Sequence, residues 1–520
     1  MCALSKRRSR RRLPTTKFSS ESATGRTFSP MKILQIAFAA AVAAAVSGCA
    51  THTSETAGMR RAWLAGDTAR AGVEVDSVLE DKKGGGDELV WRLECGAVAR
   101  ADGDLKKSAE ELEAAHSAVR GFESESETRL SEETEAFLTN RSFIPYKGYN
   151  YDKIMMGVYL ALDYIEQKDF DRARVQLKRL ENYQKNAVQL NRARIERETE
   201  NLEKSARKTA AQNRNSARQN VSGAMRAAAA SPEFRRHYGD ALAGQKFGQQ
   251  AKSLYVNPFA YWVAGVYFAN RGEDSADRQL AQDMFRIGGE VLGGKSEVFA
   301  ADYARCEDIV AGKPAVGITY VVYETGCAPL RRQFRLDLPL FAVGRNLPHV
   351  AVNFPYLEPQ NSYKPDISIV AGGKKYSAET VADMDAIIQE EFDNELALVV
   401  TKTLLSAAGK AAAQYFAAQA AGDFGVLVNI GGAIYQSLTN DADLRTWTTL
   451  PKQIKIARME TPADGVVTVD GTRVEVAPNA VNIIFAKRTG AAGRLILRKF
   501  DFSDAPKSAA VGSVAAESSK

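Results

Sequence analysis

One segment of the chain has the spacing of a phosphate-binding loop. Gly289 to Ser296 fit the pattern G-x-x-x-x-G-K-[ST], in which backbone amides cradle phosphates, the lysine pairs with them and the hydroxyl binds Mg²⁺. Lys295 and Ser296 would have these roles. A phosphate-binding loop follows a buried strand, whereas Leu280 to Ile287 has the apolar spacing of a helix. We therefore expect a helix C-cap and a turn here, and nucleotide binding is kept only as a remote alternative.

The histidines show no metal-binding or catalytic pattern. His52, His116, His237 and His349 lack the spacing of metal ligands and have no neighbouring cysteine. The sequence also has no G-x-S-x-G or H-E-x-x-H motif. We therefore predict that the protein is not an enzyme and that it holds no cofactor and no metal.

Two polar groups lie beside predicted turns. Glu324, followed by Arg331 and Arg332, could be an acid in a cleft, but a glutamate at the end of a hairpin is usually exposed, and we expect that here. Asp443 and Arg445 precede a tryptophan. We expect these two to form an ion pair that locks a helix to the following strand, without contacting a substrate.

Residues 31–50 have the features of a bacterial export signal. A Met and a Lys precede an apolar run from Ile33 to Val46, which is too short to span a bilayer and ends in small residues. The sequence Val46-Ser47-Gly48-Cys49 resembles the lipobox of lipoproteins, in which a peptidase cuts before the cysteine and acyl chains such as palmitate anchor it. We predict that Cys49 is lipidated and holds the protein to a membrane. The alternative is a buried Ala-rich helix.

The export signal also bears on location and charge. The resemblance to bacterial lipoproteins implies that Ala50, in place of Asp, favours the outer membrane and its periplasmic side, where ATP is absent. Nine basic residues and one acidic residue precede Cys49, so the formal charge of +6 becomes about −2 without them. This charge argues against a nucleic-acid-binding protein.

The basic residues 1–30 do not fit before a signal peptide, and we expect Met31 to be the true start, with a long n-region as the alternative.

Three cysteines remain after lipidation. They are Cys95, Cys306 and Cys327. Cys306 and Cys327 could pair in an oxidising periplasm, or both could be buried thiols, because cysteine is often a small core residue. The sequence leaves this choice open.

The first half of the chain has four copies of one helical layout. Each copy has two amphipathic helices joined by a polar turn, at Gly66-Asp67, Gly103-Asp104, Gln167 to Phe170 and Gly272. Small residues such as Gly96, Ala161 and Gly265 occur where the paired helices must approach closely. The layout resembles the tetratricopeptide repeat (TPR), whose helix pairs bury one face against their neighbours. A generic helical bundle is the alternative.

The inner face of these helices is apolar. Its residues are Met155, Val158, Leu162, Ile165, Phe259, Trp262, Val266 and Ala269. We interpret this face as a groove that is filled, either by the chain itself or by an apolar partner helix. The long polar stretch near 176–220 has one apolar stripe, Val188, Ile195 and Leu202, and we favour that helix as the filling.

The second half of the chain alternates in hydropathy. Strands are predicted at 316–323, 333–340, 349–354, 453–459, 465–469, 473–477, 481–486 and 494–500, with a helical pair over 379–438. Asp470-Gly471 predicts a tight hairpin. The fold class is therefore multi-domain, with TPR-like helical repeats followed by an α+β domain of mixed strands and a helical pair.

The resulting domain plan has six parts. We predict a basic extension (1–30), a lipoprotein signal peptide (31–48), a tether (49–58), a helical repeat domain (59–312), an α+β domain (313–505) and a disordered tail (506–520).

Several segments together resemble an uncharacterised family of bacterial TPR-containing lipoproteins. They are the lipobox, the repeat from Tyr159 to Ala173, the turn from Tyr323 to Pro329, the strand end Asn353 to Tyr356, and the segment from Ala442 to Pro451. The resemblance implies an outer-membrane lipoprotein without known enzymatic activity. The expected function is a lipid-anchored scaffold that binds unidentified envelope proteins or peptidoglycan, and the alternative is a carrier of a lipid or another apolar ligand in the repeat cavity.

Overall fold

The computed structural model describes residues 52–124, 145–185, 228–244, 256–311, 316–338, 350–420 and 442–503, with isolated positions between 189 and 200. The chain divides into two units, Met1–Gly48 and Cys49–Lys520, and every described residue lies in the second. The predicted signal peptide, Cys49, the stripe from Val188 to Leu202, and the tail 506–520 lie outside the described residues.

The first half of the described chain is helical. Its helices are α1 (His52–Glu55), α2 (Ala57–Leu64), α3 (Thr68–Lys82), α4 (Glu88–Asp102), α5 (Leu105–Glu123), α6 (Asn150–Glu166), α7 (170–185), α8 (Pro232–Gly244), α9 (Pro258–Arg271), α10 (Ser275–Val291) and α11 (Glu297–Val310). Consecutive helices pack against each other along the chain: α2 with α3, α3 with α4, α4 with α5, α5 with α6, α9 with α10, and α10 with α11. The predicted helical first half is therefore confirmed.

Three of the predicted turns share one geometry. In each, the backbone N–H of an aspartate donates to the carbonyl oxygen five residues earlier, the preceding residue has a positive φ, and the aspartate carboxylate caps the next helix. The turns are Gly66-Asp67, Gly103-Asp104 and Lys168-Asp169. This is the left-handed C-cap followed by an N-cap, and it reverses the chain within two residues.

Glycines allow two of the helix pairs to approach closely. A Cβ atom on Gly96 would lie 2.6 Å from the side chain of Leu112 on α5, and one on Gly265 would lie 2.6 Å from the ring of Phe285 on α10. Both distances are far below van der Waals contact, so a larger residue at either position would push the helices apart.

The second half adds three sheets and one long helix. The strands are β1 (Ile318–Thr325), β2 (Leu330–Leu338), β3 (Val350–Glu358), β4 (Ile369–Ala371), β5 (Lys374–Tyr376), β6 (Glu379–Asp383), β7 (Gln453–Glu460), β8 (Val466–Val469), β9 (Thr472–Glu475), β10 (Val481–Arg488) and β11 (Ile496–Asp501), and α12 spans Met384–Ala420. The central sheet has the order β11-β10-β1-β7-β6, the second has β5-β4-β8-β9, and β2 pairs with β3. Within the central sheet, β1 and β10 are parallel and the other pairs are antiparallel.

The central sheet is the middle of three layers. Along β1, Tyr320 and Val322 pack in the same hydrophobic cluster as the helices, whereas Val321 and Tyr323 pack with Ile369 of the four-stranded sheet. Both faces of β1 are thus buried, which explains its nearly continuous apolar sequence. The helices and the strands share one core. A separate cluster joins α8 and α12 to the β2–β3 pair.

The structure confirms the eight predicted strands and the Asp470-Gly471 hairpin, with shifts of up to four residues at their ends. One prediction was wrong in part, and two strands were missed. Residues Glu379–Asp383 form β6 at the edge of the central sheet and are not helical, because Ile454 and Ile456 of β7 pair with them. The short strands β4 and β5 were not predicted, since three residues are too few for a hydropathy period to appear.

Candidate functional site

The apolar inner face of the helices is buried inside the molecule. All seven residues proposed to line an interaction groove are at most 1% exposed, and they belong to the main hydrophobic cluster; they are Met155, Val158, Leu162, Ile165, Phe259, Trp262 and Val266. Ala269, on the same face, is partly buried against this cluster.

The described contacts that cover this face come from the second half of the chain. The rings of Trp262 and Tyr320 of β1 lie 5.2 Å apart in an edge-on contact. The Asn257 amide lies 3.1 Å from the sulfur of Met155 and 3.6 Å from that of Met384, the first residue of α12. We expected the polar helix to fill the groove; its stripe lies outside the described residues, so this stays a prediction. Among the described residues, the central sheet and α12 contact the face.

The segment with phosphate-loop spacing follows a helix and not a strand. It begins in the last turn of α10, and Ser296 caps α11 by accepting the N–H of Phe299 at 3.2 Å. The carboxylate of Glu379 accepts the hydroxyl of Ser296 and the N–H of Glu297 at 3.0 Å. A carboxylate therefore already occupies the helix N-terminus where a phosphate would bind.

Glu324 is buried, so the expectation of an exposed hairpin glutamate was wrong. Its side chain accepts a hydrogen bond from Lys487 Nζ at 2.6 Å and from the Tyr159 hydroxyl at 3.3 Å, and the residue is 4% exposed. Glu324 and Lys487 are register partners on the parallel strands β1 and β10. Both side chains point to the helical layer, and they are buried because they contact α6 there.

A second buried ion cluster continues from this pair. Arg100 of α4 donates to Asp163 at 2.5 Å and to Glu166 at 2.7 Å, both on α6. Glu166 also binds Arg498 of β11, and Ser108 of α5 donates to Asp163 at 2.6 Å. Burial raises the pKa of Asp163 to about 6. This cluster links the two central helix pairs to the edge of the sheet.

A small cavity lies where the two clusters meet. Its volume is about 30 Å³, and its polar lining consists of Arg100, Tyr159, Glu324, Lys487 and Arg498. The oxygen Oε1 of Glu324 is buried without a partner in the described chain. About two water molecules would fit such a volume and could satisfy this oxygen. The cavity is too small for a nucleotide or a lipid. The charges around it are balanced, because Asp163, Glu166 and Glu324 pair with the three basic side chains of its lining. These ion pairs hold the helical layer to the central sheet.

The segment from Ala442 to Pro451 is held by a buried glutamate. The carboxylate of Glu94 on α4 accepts four hydrogen bonds: from the Thr448 N–H at 2.6 Å and hydroxyl at 2.7 Å, and from the Thr449 N–H at 3.1 Å and hydroxyl at 2.6 Å. Trp447 is fully buried, with its ring edge-on to Tyr159 at 5.8 Å. Sequence reasoning missed Glu94; a single acid between apolar helix positions was the available signal.

Arg445 forms the expected ion pair with Asp443, at 2.8 Å, but it also reaches another part of the chain. Its guanidinium lies 3.0 Å from Asp87, the residue before α4. The pair therefore also joins the segment 442–451 to the beginning of a helix pair. The residues that directly precede this segment, 421–441, lie outside the described residues, so the predicted lock between a helix and the next strand stays a prediction.

The residues after Cys49 differ from the predicted tether. Residues 52–58 are mostly helical, with His52 5% exposed and Thr56 fully buried. His52 Nε2 lies 2.9 Å from the Thr446 carbonyl oxygen. The folded body thus includes residues only three positions from Cys49.

The three cysteines that remain after Cys49 all lie in the described chain. Cys95, Cys306 and Cys327 are buried free thiols, so the second of the two cysteine alternatives holds. Within the described ranges, no three His, Cys, Asp or Glu residues lie close enough together to hold a metal ion. Of the helices that the structure describes, none is both long and apolar enough to cross a membrane.

Comparisons with protein families, with curated proteins and with solved structures find no match to this chain.

Proposed function

We propose that the protein is a non-enzymatic, lipid-anchored scaffold of the bacterial cell envelope. Cys49 is lipidated and holds the chain at the outer membrane, facing the periplasm. The TPR-like helix pairs and the α+β layers form one body that contacts envelope proteins or peptidoglycan. The resemblance to TPR-containing lipoproteins supports the same proposal.

One observation supports the proposed lipidation of Cys49. The apolar run from Ile33 to Val46 is too short to span a bilayer and is followed by small residues that lead directly to Cys49, the residue that the lipobox predicts to be lipidated. The first described helix begins at His52, and its buried contacts belong to the second unit. An apolar run of this length with this ending fits a lipoprotein signal better than it fits an internal helix.

The interior of the body supports a scaffold over a carrier or an NTPase. A carrier needs an apolar cavity, whereas the apolar face of α6 and α9 is packed against the sheet. An NTPase needs a free helix N-terminus after its glycine loop, whereas Glu379 binds the N-terminus of α11. The polar cavity beside Glu324 has room for water only.

Metabolic labelling with an alkyne fatty acid tests the anchor. We expect the full chain to incorporate the label and to fractionate with the outer membrane, and the Cys49→Ala variant to do neither. Cys306→Ala is the matched control, because Cys306 is a buried thiol, and it should keep the label. Label that persists in Cys49→Ala contradicts the proposal. An apolar ligand that co-purifies in equal amount with unlipidated protein would favour a carrier instead.

A further inference from the structure

We propose that the short connection to Cys49 holds one end of the helical layer against the lipid headgroups, with the opposite end directed into the periplasm. This inference rests on the proposed lipidation of Cys49. It adds the face that the protein turns to the membrane, and therefore the face that stays open to partners.

The first step is the length of the connection. His52 is only three positions after Cys49, which limits the distance between their Cα atoms to about 10 Å. His52 cannot swing away to lengthen it, because its ring is buried and hydrogen-bonded to the Thr446 carbonyl. Thr53 adds a weak contact to the Arg331 carbonyl oxygen at 3.5 Å. The lipid is therefore attached almost directly to the body.

The second step is where α1 lies on that body. Glu55 pairs with Lys82 at the last turn of α3, at 2.7 Å. Lys82 also lies 3.9 Å from Asp87, just before α4 begins. Helix α1 therefore covers the end of the helical layer where α3 finishes and α4 starts. We call this the anchor end.

The opposite end of the same helices carries the repeated turns. Thr68 at the start of α3 donates to Asp102 at the end of α4, at 2.6 Å. A helix of 15 residues such as α3 is about 21 Å long, so this turn end lies about that far from the anchor end along the helix axis. The anchor cannot reach the turn end while α1 stays docked.

The chemistry of the anchor end fits the headgroup layer. Its charged side chains are paired, as in Glu55 with Lys82, Arg445 with Asp87 and Arg332 with Glu358. The large apolar side chains that the described chain exposes are Val73, Val175 and Val316, which are scattered singly. A paired, polar face is compatible with hydrated headgroups but not with insertion into hydrocarbon. The acyl chains therefore provide the membrane affinity, and the connection provides the orientation.

Fluorescence quenching of the full lipidated chain tests this orientation. Lys83→Cys places a thiol at the anchor end and Lys106→Cys places one at the turn end, and both lysines have exposed side chains. The native thiols should not react with a maleimide dye, because they are buried and burial raises the pKa of Cys306 and of Cys327 to about 11. The labelled proteins are incorporated into vesicles of phosphatidylethanolamine and phosphatidylglycerol that contain lipid spin-labelled at the headgroup.

We expect the dye at position 83 to be quenched severalfold more strongly than the dye at position 106. Equal quenching, or stronger quenching at 106, overturns the inference. Inserting about 20 Gly and Ser residues between Thr51 and His52 gives a connection of about 25 Å and should abolish the difference. A difference that survives the insertion contradicts the short connection as its cause. If the full chain floats with vesicles no better than Cys49→Ala, the proposed anchor itself fails.

Discussion

Glu94 gives the sharpest test of how the layers are joined. Its carboxylate is fully buried and accepts two backbone and two hydroxyl hydrogen bonds from Thr448 and Thr449. The change Glu94→Gln keeps the shape of the side chain but replaces one acceptor oxygen with an NH₂ donor. The hydroxyl that faces this donor can rotate, but the backbone N–H beside it cannot.

The magnitude follows from the number of bonds. One backbone N–H loses its acceptor, and the three other bonds lose their interaction with a charge. A hydrogen bond to a charged group contributes about 1.5–3 kcal/mol, and an unsatisfied buried donor costs about 1–3 kcal/mol. We therefore expect Glu94→Gln to lower the free energy of unfolding by about 3–5 kcal/mol, a large part of the total stability of a typical domain.

Urea denaturation of the unlipidated protein, followed by tryptophan fluorescence, measures this loss. Trp447 lies beside the two threonines and should report the change directly. The matched control is Glu110→Gln on α5, whose side chain is 65% exposed and which should shift stability by less than about 0.5 kcal/mol. If Glu94→Gln unfolds at the same urea concentration as the unmodified protein, the four bonds do not join α4 to the segment 442–451 as described.

Three further predictions use the same unfolding assay. Leu162→Asp should destabilise the protein by several kcal/mol because it buries an unpaired charge, whereas Val175→Asp, at a 48% exposed position, should change little. Equal urea midpoints for the two variants would refute the packed inner face. Lys295→Ala should leave stability unchanged. Calorimetry should detect no magnesium-dependent ATP binding in the unmodified protein or in the variant. Micromolar ATP binding by the unmodified protein that is lost in the variant would prove us wrong. Burial raises the pKa of Asp152 to about 7, whereas the pKa of an aspartate in the unfolded chain is about 3.9. Between these two pH values the native state therefore holds a proton on Asp152 that the unfolded state has released. Stability should therefore fall as pH rises from about 4 to 7, and Asp152→Asn should reduce that fall; identical pH profiles would contradict the raised pKa.

Local patterns were enough to predict most of the elements. The alternation in 481–486 and the Asp470-Gly471 pair predicted strands and a hairpin, because the two-residue period and the positive φ of a tight turn are properties of a few neighbouring residues. The turn at Gly103-Asp104 was predictable for the same reason, since glycine tolerates φ of 95° and aspartate caps the next helix. The lipobox at Cys49 is likewise a local signal.

Local patterns could not predict what covers each element. The apolar face at Leu162 and Trp262 required burial, but the sequence did not indicate that β1 covers it, because the residues that meet there are far apart in the chain. The assignment of 379–383 to a helix failed for a similar reason. Pairing with β7, about 70 residues later, overrode the helical pattern that follows.

The sequence by itself determined the helical first half and the strands of the second half, since each depends on spacing within a short window. The predicted export signal rests on the same kind of local spacing. Only the tertiary structure decided which charges are buried. Glu324 resembles any exposed hairpin glutamate until β10 brings Lys487 beside it from 163 positions away, and Glu94 has no partner until the segment 442–451 returns to α4. A charge can stay buried only when an opposite charge or several donors meet it, and chain topology alone places them there.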